Sequence, residues 1–313
     1  MLSAKRTYRT IPAAMMSLVV AALSLLHGPF VFGDDKPDKP LIADTATGGA
    51  TVEVYRVFRG SDSLLEIQWG YRNTTANTVH LLSYDDAIHF AGKVYLIDPT
   101  ENVKYRVAEA TPAAPNGKPA AAAATPLISP IVAIDLPAGG AVWYWAKFPT
   151  IPATTKTISL YLPNSPPLED IPVAAAPATA PATAGALASQ TGPTGLRIST
   201  TRVKRSSDGT VEVRWQYANT SDKKASVISY DDAVHLHSQV FLLDPDSKTQ
   251  YFIATDDKGL PLMQDVPAFD LDAGQSQMIW AKFYVPHDAK RVSVFIPNAL
   301  PMEDIPIQQN PPK

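Results

Sequence analysis

The sequence predicts an all-β protein made of two tandem antiparallel β-sandwich domains joined by a Pro/Ala-rich linker. Three observations carry that expectation. A long block of sequence occurs twice, the apolar residues within it alternate with a period of two, and turn-forming residues interrupt it at short intervals. Trp69-Gly70-Tyr71-Arg72-Asn73-Thr74, followed by Ser83-Tyr84-Asp85-Asp86-Ala87-Ile88-His89, returns as Trp215-Gln216-Tyr217-Ala218-Asn219-Thr220 and Ser229-Tyr230-Asp231-Asp232-Ala233-Val234-His235. Leu65–Tyr105 aligns with Val211–Tyr251 without a gap, with 16 of 41 positions identical. The match resumes at Trp145-Ala146-Lys147-Phe148 against Trp280-Ala281-Lys282-Phe283 and closes with Leu168-Glu169-Asp170-Ile171-Pro172 against Met302-Glu303-Asp304-Ile305-Pro306.

Residues 1–33 read as a Sec-type signal peptide, because Lys5, Arg6 and Arg9 precede the apolar run Ala13–Leu26. His27-Gly28-Pro29 breaks that run before it is long enough for a retained anchor. Residues 34–50 are polar without an apolar period and are expected to be flexible. Repeat 1 is placed at 51–173, an Ala/Pro/Thr linker at 174–193, repeat 2 at 194–307 and a tail at 308–313. The Ala/Pro-rich run Thr111–Thr125, absent from repeat 2, is expected to be a surface loop. Within each repeat Leu65, Ile67, Trp69 and Tyr71, like Val211, Val213, Trp215 and Tyr217, occupy one face of a strand. Further strands are expected at Val79–Ser83, Lys93–Ile97, Val142–Phe148 and Thr157–Leu162. The prolines 163, 172, 297 and 306 fit a closing edge strand. An immunoglobulin-like topology accounts for this arrangement best, with a small barrel as the alternative.

Composition narrows the function. The chain has no cysteine, so no disulfide staples an exported fold. Without residues 1–33 it carries 24 basic against 30 acidic residues, which disfavours nucleic acid as a partner. No Gly-x-Ser-x-Gly, phosphate loop, His-Glu-x-x-His or Asp-Thr/Ser-Gly motif occurs, and the chain is read as non-enzymatic and free of cofactors.

Two shared blocks remain as candidate ligand-binding surfaces. The first comprises Tyr84, Asp85, Asp86 and His89 with Tyr230, Asp231, Asp232 and His235. Turn architecture is the favoured reading there, since aspartates bind their own backbone, ahead of a calcium-type site that Glu169 and Asp170 would help to complete. The second is Trp145 and Lys147 with Trp280 and Lys282. An exposed aromatic beside a cation suits a sugar or a peptide, whereas a core tryptophan with a snorkelling lysine is the favoured alternative. Trp143, opposite Met278, marks a surface peculiar to one copy, and Arg202, Lys204 and Arg205 read as a solvated strand end.

The strand ending in Asn-Thr, the hairpin Asp98 to Tyr105 with Asp244 to Tyr251, and the turns Leu136-Pro137-Ala138-Gly139 and Leu271-Asp272-Ala273-Gly274 resemble exported bacterial immunoglobulin-like domains of unknown function. The resemblance covers both copies and implies a fold and an extracytoplasmic setting, not a reaction. The expectation is a secreted or periplasmic binding or spacing module of the cell envelope. An envelope polysaccharide or protein is the expected ligand, and no stable membrane span remains after cleavage. Calcium or carbohydrate binding is the alternative, and a periplasmic chaperone or a hydrolase ranks below it.

Overall fold

The computed structural model describes residues 41–309, apart from 47, 85, 114–122, 131–132, 175–185, 193–194, 229–235 and 267–268. The chain divides into two compact units, 1–31 and 32–313, and the described residues all belong to the second. Among them no helix is long and apolar enough to cross a membrane.

Repeat 1 contains β1 (Leu41–Asp44), β2 (Ala50–Arg59), β3 (Leu65–Asn73), β4 (Val79–Ser83), the short helix α1 (Ala87–Ala91), β5 (Tyr95–Asp98) and β6 (Val103–Arg106). It continues through β7 (Glu109–Pro112), β8 (Thr125–Pro126), β9 (Ala133–Leu136), β10 (Ala141–Phe148), β11 (Thr157–Tyr161) and β12 (Leu168–Pro172). Repeat 2 follows with β13 (Ala188–Thr191), β14 (Leu196–Arg205), β15 (Val211–Asn219), β16 (Ala225–Ile228), β17 (Phe241–Asp244) and β18 (Thr249–Phe252). It ends with β19 (Phe269–Leu271), β20 (Ser276–Phe283), β21 (Arg291–Phe295) and β22 (Met302–Pro306). The fold is nearly all β, in several small and mostly antiparallel sheets.

The strand orders of the two repeats correspond. The sheet β1-β2-β3-β10 matches β13-β14-β15-β20, the pair β4-β9 matches β16-β19, and β12-β11-β5-β6 matches β22-β21-β17-β18. Even the irregularities match, because β2 bulges at Tyr55 and β14 at Thr201, 146 residues later. Each repeat has its own apolar core. In repeat 1 Leu65, Ile67, Trp69 and Tyr71 meet Leu96, Ile158 and Leu160 of the facing sheet, and Trp69 stacks on Tyr144 at 5.5 Å and 14°. In repeat 2 Val211, Val213, Trp215 and Tyr217 meet Leu242, Val292 and Val294. The period-two alternation thus becomes burial of one face of β3 and β15 in the core of each repeat.

Several identities between the copies close backbone bonds. Asn73 is buried, and its Nδ2 donates to the carbonyls of Asn77, Leu136 and Pro137 while its Oδ1 accepts from the Thr75 N–H. Asn219 does the same with Lys223, Leu271 and Ser221. The Asn-Thr pair therefore ties the end of the central strand to the turn entering β10 or β20. Asp98 receives the Thr100 N–H at 2.8 Å and Asp244 the Asp246 N–H at 2.9 Å, shaping the Asp-Pro turns. Asn164 and Asn298, Asp170 and Asp304 all sit at positive φ, where Asn and Asp are tolerated better than most side chains.

The two repeats are not held apart. Two segments expected to lack structure carry strands: Leu41–Asp44 pairs with β2, and Ala188–Thr191 pairs with β14. The flanks of the expected surface loop within Thr111–Thr125 cross to the other repeat. There β7 pairs in parallel with β18 through Thr111↔Thr249 and Gln250↔Pro112, and the sheet of repeat 2 extends to β22-β21-β17-β18-β7-β8. Ala113 N–H donates to the Gln250 carbonyl at 2.7 Å, and its side chain joins the core of repeat 2. A continuous sheet, rather than a tether, joins the repeats.

Candidate functional site

Asp86 is the N-cap of α1, because its Oδ1 accepts the His89 backbone N–H at 2.8 Å. The same oxygen lies 3.0 Å from His89 Nδ1, and these hydrogen bonds, the backbone one first, hold the Asp86 carboxyl below its ordinary value. Tyr84 turns to the core rim, with its ring 5.5 Å from Phe90. The Asp-Asp pair is thus followed by a five-residue helix rather than by a second strand, a correction to the tight turn expected there. Asp85, Tyr230, Asp231, Asp232 and His235 lie outside the described residues. Among the described residues, no three His, Cys, Asp or Glu side chains gather in an arrangement able to hold a metal ion.

The Trp-Ala-Lys-Phe blocks differ between the repeats, and neither expectation for them fits repeat 1. Ala146 and Phe148 face the core of their own repeat, so Trp145 and Lys147 point out of the opposite face of β10. That face is covered by repeat 2. The Trp145 ring lies 4.7 Å from Phe295 and 6.4 Å from Phe241, which stack on each other at 4.4 Å and 11°. Trp145 is therefore neither a binding platform nor part of its own domain's core. It is the apolar centre of the contact between repeats.

Lys147 is fully buried beside it. Its Nζ lies 2.9 Å from Asp62 Oδ2 and 3.1 Å from Glu66 Oε2, both carboxylates of repeat 1, and also pairs with Glu303 of repeat 2. Gly60 makes room for this cluster, since a Cβ there would stand 2.7 Å from Asp62 Oδ1 and 3.0 Å from Glu303 Oε1. From repeat 2 Lys248 donates to the backbone carbonyl of Asp62, and across the sheet seam Thr125 hydrogen-bonds Gln250. One ammonium thus faces three carboxyl groups in a largely buried site. Burial alone would lower the Lys147 ammonium, but the carboxylates of Glu66, Glu303 and Asp62 outweigh it and hold the lysine charged. Burial pushes the Glu66 carboxyl up to about 8; Lys147 opposes that rise and the like charge of Glu303 adds to it. The buried groups demand one another, because an isolated charge at this depth costs several kcal/mol, on the order of the penalty for a lone buried ion.

In repeat 2 the equivalent face is less deeply buried by the described residues. Lys282 keeps a partner at the position of Asp62, namely Asp208 at 2.6 Å, but the pair is partly solvated. Glu212, at the position of Glu66, turns to Arg202 and Arg214 instead. Trp280 is only half-buried, and the neighbouring Met278 is 40% exposed. Trp143, opposite Met278, is buried with its ring edge against Tyr55. Gly70 belongs to that corner, as a Cβ on it would lie 2.9 Å from the Tyr55 hydroxyl. The expected solvated strand end also differs: Arg205 is buried and donates to the carbonyls of Gly209, Val285 and Pro286.

The structure therefore gathers Trp145 and Lys147 with Asp62, Glu66, Phe241, Phe295 and Glu303, the last five of which sequence reasoning did not single out. A signal was present for three of them, since Asp62, Glu66 and Glu303 recur as Asp208, Glu212 and Glu169. The block Tyr84 to His89 is not part of this assembly. No protein-family model matches the chain, and no curated protein does. Among solved structures, a protein of unknown function from Porphyromonas gingivalis is similar over 84% of this chain and 100% of its own, at 9% identity and a TM-score of 0.19, a likeness too slight to carry an argument about fold or function.

Proposed function

We propose that the protein is a non-enzymatic, exported spacing module of the cell envelope, in which two immunoglobulin-like sandwiches are locked into one stiff unit. The observation that carries this reading is the seam between the repeats. A parallel strand pair, an aromatic cluster around Trp145 and a buried four-residue ion cluster act at one interface, where a pair of independently tethered binding domains would need none of them. Export rests on the signal-like residues 1–33, and the bacterial envelope setting on the resemblance of the repeats. Among the described residues, those that both copies share serve turns, caps and packing, which favours a structural role.

Small-angle scattering of residues 34–313 tests the reading. A single compact particle whose profile is unchanged by salt is expected. A broad distribution of separations between repeats would overturn it. Carbohydrate binding is a second reading with one observation in its favour, the half-exposed Trp280 beside Lys282. Retention on polysaccharide or peptidoglycan that is lost in Trp280→Ala would establish it, whereas Trp145→Ala is expected to act through the fold alone.

A further inference from the structure

The contact between the repeats is heterologous: one face of repeat 1 meets a different face of repeat 2. Each repeat contains both faces, so the chain carries one unused copy of each. The unused receiving face is on repeat 2. There Trp280 and Lys282 stand where Trp145 and Lys147 stand in repeat 1, with Asp208 and Glu212 in place of Asp62 and Glu66. The unused inserting face is on repeat 1. Tyr95 and Tyr161 stack at 4.5 Å and 10°, reproducing the 4.4 Å and 11° of Phe241 and Phe295 at the equivalent positions. Glu169 is exposed at the position of Glu303.

We propose that copies of this chain associate head to tail, the Trp280–Lys282 face of one against the Tyr95–Tyr161 face of the next, in the geometry that joins the two repeats within a chain. The occupant is identified by what the receiving face lacks. Lys147 has three carboxylates, two from its own repeat and one from its neighbour; Lys282 has Asp208 and, close by, Glu212, and the missing third is what Glu169 of a second copy would bring.

A second, independent feature points to the same two faces. In repeat 2 the sheet edge at β18 is covered by β7, whereas among the described residues the equivalent edge strand β6 of repeat 1 has no partner beyond β5. Exposed edges are sites of strand addition. The segment that would cover β6 is the counterpart of β7 and β8, the bridge Thr255↔Pro261 of repeat 2, whose Leu260 is 60% exposed. Of the six large exposed hydrophobic residues among the described ones, Val103, Leu260 and Met278 lie on these two faces. Tyrosine in place of phenylalanine, with the Lys104 ammonium 3.4 Å from the Tyr95 ring centroid, makes the free face of repeat 1 more tolerant of water than the internal seam. The association is therefore reversible and concentration-dependent, and because the contact is heterologous it closes into a ring or continues as an open series.

The inference rests on the stiff-unit reading only in taking the two repeats as one body. Sedimentation velocity of residues 34–313 over a wide concentration range, with charge-swap variants, tests it. Wild type is expected to form a concentration-dependent series of species larger than the monomer. Lys282→Glu alone and Glu169→Lys alone are each expected to remain monomeric with unchanged circular dichroism, and an equimolar mixture of the two variants is expected to restore the series. A wild type that stays monomeric throughout, single variants that still associate, or a mixture that does not recover would overturn the inference. Scattering from the Lys282→Glu monomer keeps the two readings apart, since a stiff monomer that never associates removes this inference and leaves the spacing role standing.

Discussion

Lys147 and Glu303 form an ion pair across 156 residues of sequence, and this pair closes the buried cluster between the two repeats. The counterpart of the cluster's Lys147–Asp62 pair, Lys282 with Asp208, is partly exposed on the same protein. The chain thus contains its own control for the effect of burial on one arrangement of charges.

Removing the buried lysine should be costly and removing the exposed one should not. Lys147→Ala leaves Asp62, Glu66 and Glu303 confined without a cation and is expected to lower unfolding stability by about 3–5 kcal/mol. Lys282→Ala loses a partly solvated pair and is expected to cost about 1 kcal/mol or less. Chemical denaturation of both variants measures the difference, and equal losses would contradict the assignment.

The pH dependence of stability carries the signature of Glu66. Its carboxyl, pushed up to about 8 by burial, binds a proton in the folded state over a range where the unfolded chain has released it. Its contribution is therefore full below the ordinary carboxylate range and is lost as pH rises through about 8. Glu66→Gln should flatten that fall. Asp208 has the opposite sign: hydrogen bonds from Lys282 and Thr210 hold it at about 2, so its contribution is present above the ordinary carboxylate value and lost as pH falls towards 2. Melting temperatures of wild type, Glu66→Gln and Asp208→Asn between pH 2 and 9 test both directions.

Asn73 and Asn219 should matter equally despite lying in different repeats. Each donates to backbone carbonyls of a distant turn, Leu136 for one and Leu271 for the other, at 2.9 Å. Replacement by alanine strands those groups, at about 1–3 kcal/mol for each one left unsatisfied in the interior. Replacement by aspartate should be worse, because a carboxylate cannot donate to the carbonyls. Denaturation midpoints of the four single variants rank them.

Asp86→Ala should unravel α1 without affecting a metal response. The cap and the His89 contact are lost together, so amides of residues 87–91 are expected to exchange faster while the core amides keep their protection. Calcium should shift the melting temperature of neither protein. A calcium-dependent rise in wild type that disappears in Asp86→Ala would instead make this block a site.

Much of the fold was legible in the sequence for a local reason. The alternation of Leu65, Ile67, Trp69 and Tyr71 states which face of β3 is buried whatever lies opposite, and the Asn-Thr and Asp-Pro turns are made by side chains bonding a backbone a few residues away. The repeat added the strand order by showing that the same pattern recurs as a whole. The interface was not legible. Trp145 and Lys147 form the same pattern as Trp280 and Lys282, yet one pair is sealed and the other is not. Nothing in four residues of β10 or β20 records whether water or a second sheet covers their outer face. Likewise the Ala/Pro composition between Thr111 and Thr125 excludes a core but does not exclude flanks that pair with β18. The sequence by itself determined two equivalent β-sheet repeats and their turns, because those depend on local conformation and side-chain period. Only the tertiary structure decided that repeat 2 seals the Trp145–Lys147 face of repeat 1, because burial depends on non-local packing between groups as far apart as Lys147 and Glu303.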